Sequence, residues 1–368
     1  MSTSDQIDSA PHPRDTQRLI GQDAARDTFL SAYATGRLHH GWLLSGPRGV
    51  GKATLAWSIA RFLLAVPPMD EGGLFGAPEP PATLTIDPDH PVARRMAAGA
   101  EPGLKCVTRS INPNTDRLRT EIVVDDIRAL AGFFQLSATD GGRRVVIIDA
   151  ANELNISAAN ALLKMLEEPP PRTTLLLVCH QPSRLLPTIR SRCRTLRFRS
   201  LAPVELNQAL AQAVPDMDTH TSALAELSGG SVGAAIRLIR LDGPTLYASI
   251  LNVVAAAPKD GHSTALKLAE SAATRGAEDR RDLLFDLLEV MMARLARTGA
   301  SGQPPSVEAA RGEADILKRL APSPAAGRHW AECAALCTSR VRHGLGVNLD
   351  PAALVLDTLI KARAAVPS

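Results

Sequence analysis

Gly46-Pro47-Arg48-Gly49-Val50-Gly51-Lys52-Ala53-Thr54 follows the apolar run Gly41-Trp42-Leu43-Leu44-Ser45 and leads into an alanine- and leucine-rich stretch, Ala53 to Leu64. A short buried strand, a glycine-rich loop and a helix in that order are the context of a phosphate-binding P-loop. In such a loop the backbone N–H groups cradle phosphate oxygens at a helix N-terminus, and the lysine reaches the outer phosphates. Gly46, Gly49, Gly51 and Lys52, with Thr54 and Asp149, are the candidate nucleotide-binding residues of a possibly degenerate site. A glycine turn that holds no ligand is the bland alternative.

One position departs from the pattern. A Ser or Thr hydroxyl normally follows the lysine and ligates Mg²⁺, and here that residue is Ala53. Thr54 comes one residue later, where a helix has turned by about 100°, so its hydroxyl is expected to point elsewhere. The loop therefore reads as a possibly degenerate nucleotide site, with ATP or ADP held without firm Mg²⁺.

Outward from the loop, strand signals recur at Glu121-Ile122-Val123-Val124, Arg144 to Asp149, Thr174 to Val178 and Thr195 to Phe198. Helical stretches, Asp126 to Ser137 and Ser157 to Glu168, lie between them, and that alternation predicts a parallel sheet flanked by helices. The proline- and glycine-rich stretch from Val66 to Gly103 reads as an insertion with one short helix, Pro91 to Ala98. Residues 1–16 are polar and read as a disordered lead-in. After Ser200 the strand signals stop. Short helical patterns at Val204 to Val214, Thr219 to Leu227 and Val232 to Leu241 suggest a small lid. Longer ones at Pro244 to Ala256, Ala277 to Arg297, Val307 to Leu320, Pro324 to Arg342 and Pro351 to Ala364 suggest an all-α domain. The expected boundaries are 1–16, 17–200, 201–243 and 244–368.

Composition sets limits on function. With 368 residues, 45% hydrophobic and 21% charged, the chain has room for two or three domains with ordinary cores. A net charge of +3 gives no bulk attraction to nucleic acid, so any DNA contact must be local. Five scattered cysteines without a CxxC pair describe no disulfide framework and fit a reducing cytosol. Cys333 and Cys337, four apart, read as a core pair, with a metal site as the weaker alternative. No run approaches about 18 apolar residues, so no membrane partner is expected.

Asp149, ending the Val145 to Ile148 run, stands at the Walker B position, where a carboxylate holds Mg²⁺ through its water shell. Ala150 follows it, where hydrolytic proteins carry a water-polarising acid. Glu153 is the nearest acid, and a surface carboxylate is the simpler reading for it.

Asn160-Ala161-Leu162-Leu163-Lys164-Met165-Leu166-Glu167-Glu168-Pro169-Pro170 and Ser191-Arg192-Cys193 are specific strings. With Leu19-Ile20-Gly21-Gln22, Leu38 to Leu44 and Asn348 to Leu354, they make nearly the whole chain resemble bacterial clamp-loader subunits of the AAA+ class. The resemblance implies an α/β P-loop AAA+ domain, a helical lid and an all-α C-terminal collar. It implies a ring with gamma/tau motor subunits and a delta subunit that opens the sliding clamp and places it on primer-template DNA. In that ring the chain would be an assembly and stimulatory subunit of a DNA polymerase III holoenzyme, a nucleotidyltransferase complex, without ATPase activity of its own.

The same resemblance makes Arg192 the trans arginine finger, a guanidinium offered to a neighbour's γ-phosphate. Such fingers contribute about 10³–10⁵ in rate. A surface salt bridge is the alternative for Arg192. The sensor-1 position falls at Cys179 or His180 and the sensor-2 position at Gly233, and neither replacement has the chemistry of a hydrolysis sensor. Only Cys106 lies where some relatives carry a four-cysteine zinc module, so no zinc or other metal is expected. Arg119, Arg128 and Arg143 are candidates for DNA phosphates, or plain surface charge. An active gamma/tau-like ATPase and another kind of AAA+ adaptor stay open as readings.

Overall fold

The computed structural model describes residues 10–16, 18–36, 38–66, 81–135, 142–215, 222–256, 261–274 and 276–366. By their contacts, residues 1–214 with 231–233 form one compact unit, and residues 215–230 with 234–368 form a second. The helix Pro203–Ala213 falls in the first unit, so the division runs through the segment expected as a lid.

Among the described residues the first unit holds seven strands: β1 (Gly41–Ser45), β2 (Leu104–Val107), β3 (Ile111–Asn112), β4 (Arg117–Leu118), β5 (Arg144–Asp149), β6 (Thr173–Cys179) and β7 (Arg194–Arg197). Five of them form a parallel sheet in the order β2-β5-β6-β1-β7, and β3 pairs antiparallel with β4 as a separate small hairpin. The central strands are apolar nearly throughout, as strands covered on both faces must be. Alternate residues serve opposite faces. Trp42, Leu44, Val145, Ile147, Leu176 and Val178 pack with the helices Asp23–Ala34, Lys52–Ala65 and Pro91–Ala97. Leu43, Val146, Ile148, Leu175 and Leu177 pack with Val124–Gln135 and Ile156–Glu167.

Two expectations are corrected here. Glu121 to Val124 is not a strand: Ile122 makes a single parallel bridge with Leu154, and the Val124–Gln135 helix starts immediately after it. The β-branched run suits a strand, but Asp125 and Asp126 in the first turn suit a helix N-terminus, and the Asp126 carboxylate accepts from Val123 N at 2.9 Å. The edge strand is instead Leu104–Val107, in which only Val107 is fully buried. The lead-in is also partly ordered. Residues 1–9 lie outside the described residues, but His12 is buried with its ring 5.5 Å from that of Trp57, and Arg61 donates to the Arg14 carbonyl.

The second unit is helical, with Gly243–Ala255, His262–Ala273, Glu278–Ser301, Glu313–Leu320, Pro324–Gly346 and Pro351–Ala364 sharing one apolar core. His262–Ala273 has no counterpart among the helices read from the sequence. Ala265, Leu268, Ala269 and Ala272 form its buried stripe at helical spacing, but three alanines make that stripe faint. The helix expected from Val307 begins only at Glu313, after Gly312 at φ 74°. The long helices Glu278–Ser301 and Pro324–Gly346 meet at Gly299 and Gly327, where a Cβ on Gly299 would lie 2.6 Å from the Gly327 backbone. Among the described residues no helix is long and apolar enough to cross a membrane.

Candidate functional site

The C-terminal ends of β1, β5 and β6 lie side by side, with Ser45 in register with Cys179 and Asp149 with Val178. The P-loop leaves β1 at this edge, so Lys52, Asp149, Cys179 and His180 are gathered by sheet topology from distant parts of the sequence. Gly51 caps the Lys52–Ala65 helix at φ 97°, a conformation that a side chain rarely adopts. Gly49, at φ 74°, faces Ser231 and Gly233 so closely that an added Cβ would lie 2.3 Å from the Ser231 hydroxyl oxygen. Gly233 N donates to Gly49 O at 3.4 Å, so the residue at the sensor-2 position touches the loop through backbone alone.

Lys52 is 2% exposed, and its ammonium donates to Gly46 O at 2.8 Å and to the Pro47 carbonyl. Burial pulls its pKa down to about 8 against the raising effect of Asp149. Loss of hydration disfavours the cation more than one nearby carboxylate restores it. His180 is held even lower, at about 3, by burial and then by the positive charges of Lys52 and Arg48. Its ring is therefore neutral, and Nδ1 has no hydrogen-bond partner among the described residues. Cys179 is buried, and that burial raises its thiol pKa.

The phosphate cradle and the metal position differ in how well these residues fit them. Loop glycines, a helix N-terminus and a buried lysine whose acceptors are only neutral carbonyls suit an anion. Ala53 and Ala150 place methyl groups where a magnesium site needs a hydroxyl and an acid, and Asp149 alone is an incomplete donor set. Thr54 lies further along the helix, where its carbonyl accepts from Ser58 Oγ at 2.9 Å. Glu153 is half-buried beside Arg109 at 3.0 Å.

Two polar residues complete the frame: Asn152, which no motif contains, and Gln22, which ends the Leu19-Ile20-Gly21-Gln22 string without a role read from it. The Asn152 side chain accepts from His180 N at 2.8 Å, tying the segment after β5 to the end of β6. Gln22 donates to Val50 O at 3.2 Å and Arg199 O at 2.8 Å, and accepts from Arg199 N at 3.3 Å. Its burial at 4% exposure and threefold bonding join the P-loop to the segment after β7. A lone Gln or Asn carries little sequence signal, because only the fold reveals which backbone groups it satisfies.

Ser191-Arg192-Cys193 lies elsewhere in the same unit, between the short helix Pro187–Ser191 and β7. Burial raises the Cys193 thiol to about 12, while the Arg192 side chain is 37% exposed. The Arg192 guanidinium donates to Thr188 O at 3.2 Å and pairs with Glu167 at 2.8 Å. Of the arginines considered for DNA, Arg128 is exposed near Asp125, Arg143 lies over the Tyr33 ring at 5.3 Å, and Arg119 has a buried Nε.

A P-loop after β1, a Walker B aspartate at the end of β5 and the β2-β5-β6-β1-β7 order make the first unit an α/β P-loop domain of the AAA+ class, and the second unit adds an all-α C-terminal region. A family model described as "DNA polymerase III, delta subunit" matches residues 21–202. The DNA polymerase III subunit delta' of Pseudomonas aeruginosa is 38% identical over 200 residues, 54% of this chain and 55% of that protein. The subunit delta' of Escherichia coli is 29% identical over 304 residues, 81% of this chain and 82% of that protein. A solved gamma subunit-related protein from Thermotoga maritima covers 91% of this chain and 99% of its own, at 18% identity and a TM-score of 0.40. Over these regions the chain is similar to DNA polymerase III delta' subunits, and the match spans only about half the length of the Pseudomonas relative.

Proposed function

We propose that the chain is the delta' subunit of a bacterial clamp loader. It assembles with gamma/tau and delta subunits in the cytoplasm, helps place the sliding clamp on primed DNA, and supplies Arg192 to a neighbouring ATPase. The observation that carries this reading is that in Ser191-Arg192-Cys193 the guanidinium reaches the surface while the neighbouring half-buried thiol packs against the apolar core. Cys193, half-buried, packs against the core while Arg192 keeps its head at the surface. A cation presented in this way can act on charge that develops in another subunit.

In this reading the chain's own loop does not hydrolyse ATP. Ala53 supplies no metal ligand, and Ala150 cannot polarise a water. Lys52 and the loop N–H groups still offer a place for the phosphates of ATP or ADP without Mg²⁺. The test is reconstitution of the ring from purified subunits. The isolated chain should show no ATPase above background. Arg192→Ala should leave assembly intact and lower DNA-dependent hydrolysis and clamp loading by about 10³-fold or more. Lys at 192 should rescue poorly, because an ammonium lacks the forked geometry. Clamp loading at the wild-type rate by the Arg192→Ala ring would remove the finger, and magnesium-dependent turnover by the isolated chain would remove the regulatory role.

A further inference from the structure

The helix Ile156–Glu167 ends on two acids, Glu167 and Glu168, before Pro169-Pro170-Pro171. A helix C-terminus carries partial negative charge and favours cations, so carboxylates there are locally unfavourable. Glu167 is compensated from elsewhere in the chain: its Oε1 lies 2.8 Å from Nη2 of Arg192. The backbones that carry the two side chains are closely held. Leu166 is buried, and its carbonyl is bonded by His40 Nε2 at 2.8 Å. Gly41 lets both segments approach, since a Cβ there would lie 2.9 Å from Leu166 Cδ2 and 3.2 Å from the Arg192 carbonyl oxygen. The pair thus joins two fixed points across the sheet edge.

A guanidinium has five N–H bonds. Arg192 gives one to Thr188 O from Nη1, and its Nη2 forms an ion pair with Glu167 at 2.8 Å, so N–H bonds remain for another acceptor. Two restraints limit the plane of a side chain that is otherwise rich in rotamers. Donors aimed before the reaction need no reorganisation during it.

We propose that Glu167 is a positioning residue for Arg192, its carboxylate holding one edge of the guanidinium so that the opposite edge is presented to a phosphate on a neighbouring subunit. This rests on the reading of Arg192 as a finger, and the experiment keeps the two apart. Rings are reconstituted with wild-type chain, Glu167→Ala, Glu167→Gln, Arg192→Ala and the Glu167→Ala/Arg192→Ala double variant. DNA-dependent ATP hydrolysis is then resolved into kcat and KM, with the Tm of each isolated chain measured alongside.

Loss of one exposed partner corresponds to about a two- to fivefold effect. Glu167→Ala should lower kcat by that factor with KM and Tm unchanged. Glu167→Gln, which keeps the shape and an oxygen beside Nη2 but not the charge, should keep more of the rate than Glu167→Ala. The double variant should equal Arg192→Ala alone. A slow Arg192→Ala ring beside a Glu167→Ala ring with wild-type or raised kcat overturns the positioning role and leaves the finger standing. A wild-type rate with Arg192→Ala overturns both. An additive double variant shows that Glu167 acts on something other than Arg192 and overturns the proposal.

Discussion

Lys52 and Arg294 are both 2% exposed, one in each compact unit, and the two units accommodate a buried cation in opposite ways. Arg294 lies among complete partners. It binds Glu313 through Nε at 2.7 Å and Nη2 at 3.0 Å, Glu226 through Nη1 at 2.9 Å, and the Val307 carbonyl through Nη2 at 2.9 Å. Glu313 in turn accepts from Tyr247 Oη at 2.5 Å and Ala309 N at 2.6 Å. Burial works against the Arg294 charge, but these bonds outweigh it and its pKa ends above the ordinary value. Lys52 has two neutral carbonyls and the nearby charge of Asp149, and its pKa ends low. A buried cation held by two acids is architecture, whereas one left short of negative charge has the character of an anion site.

The largest effect that sharpens this contrast is expected at Arg294. Arg294→Ala leaves Glu313, 1% exposed, as a buried carboxylate without its cation, and should cost about 3–5 kcal/mol of stability. Urea unfolding of the full chain, followed by helical signal, measures it. A loss under about 1 kcal/mol would mean that the network is incidental and the contrast false.

Lys52 should act in the other direction, and its sign follows from proton binding. The folded pKa is about 8 against 10.5 unfolded, so between those values the unfolded state binds more protons. Stability therefore rises with pH across that window, and the full penalty of the buried cation, at most about 3 kcal/mol, applies below pH 8. Lys52→Met should remove this pH dependence and stabilise the chain near pH 7. Pyrophosphate or ATP without Mg²⁺ should raise the Tm of wild type and not of Lys52→Met. Parallel stability curves for the two proteins from pH 7 to 10.5 would show that Lys52 is not strained.

The same contrast explains what the sequence made legible. Strands β1, β5 and β6 and the P-loop follow from continuous apolar runs and glycines at fixed spacing, because both the burial pattern and the loop chemistry are local. Lys52 and Asp149 could be named for that reason. Strand β2 could not, since its alternation is weak at a sheet edge and Glu121 to Val124 offers a stronger β-branched run. The partners of Arg294 are invisible in sequence: Glu226, Tyr247 and Glu313 lie up to 68 positions away, and nothing local marks them as a group. Asn152 shares that property, and the roles of Gln22 and Glu167, though both stand in recognisable strings, were equally hidden, since each acts on an atom whose position only the fold supplies.

A smaller effect is expected where the Arg294 network loses a neutral member. Burial and then the Glu313 charge push the Tyr247 hydroxyl above its ordinary pKa, so it remains a neutral donor at any working pH. Tyr247→Phe removes one donor to a carboxylate that keeps its Arg294 and Ala309 bonds. The expected loss is about 1–2 kcal/mol, well short of that for Arg294→Ala. Equal losses from the two variants would place the strength of the network in the hydroxyl and not in the ion pair.

The smallest effect expected is from chelation. All five cysteines are described: Cys333 and Cys337 face each other at 3.9 Å on one helix, Cys179 is buried in the sheet, and Cys106 and Cys193 are half-buried. Among the described residues no three His, Cys, Asp or Glu side chains gather as a metal set. Two thiols alone do not make the four-ligand shell of a structural zinc, so folding stability should be independent of the metal. Treating the full chain with a strong chelator should leave its Tm and its assembly with partner subunits unchanged. Stoichiometric zinc in the purified protein, with a Tm that falls on chelation, would show that a metal supplies stability that the two units are here taken to derive from their cores and the Arg294 network.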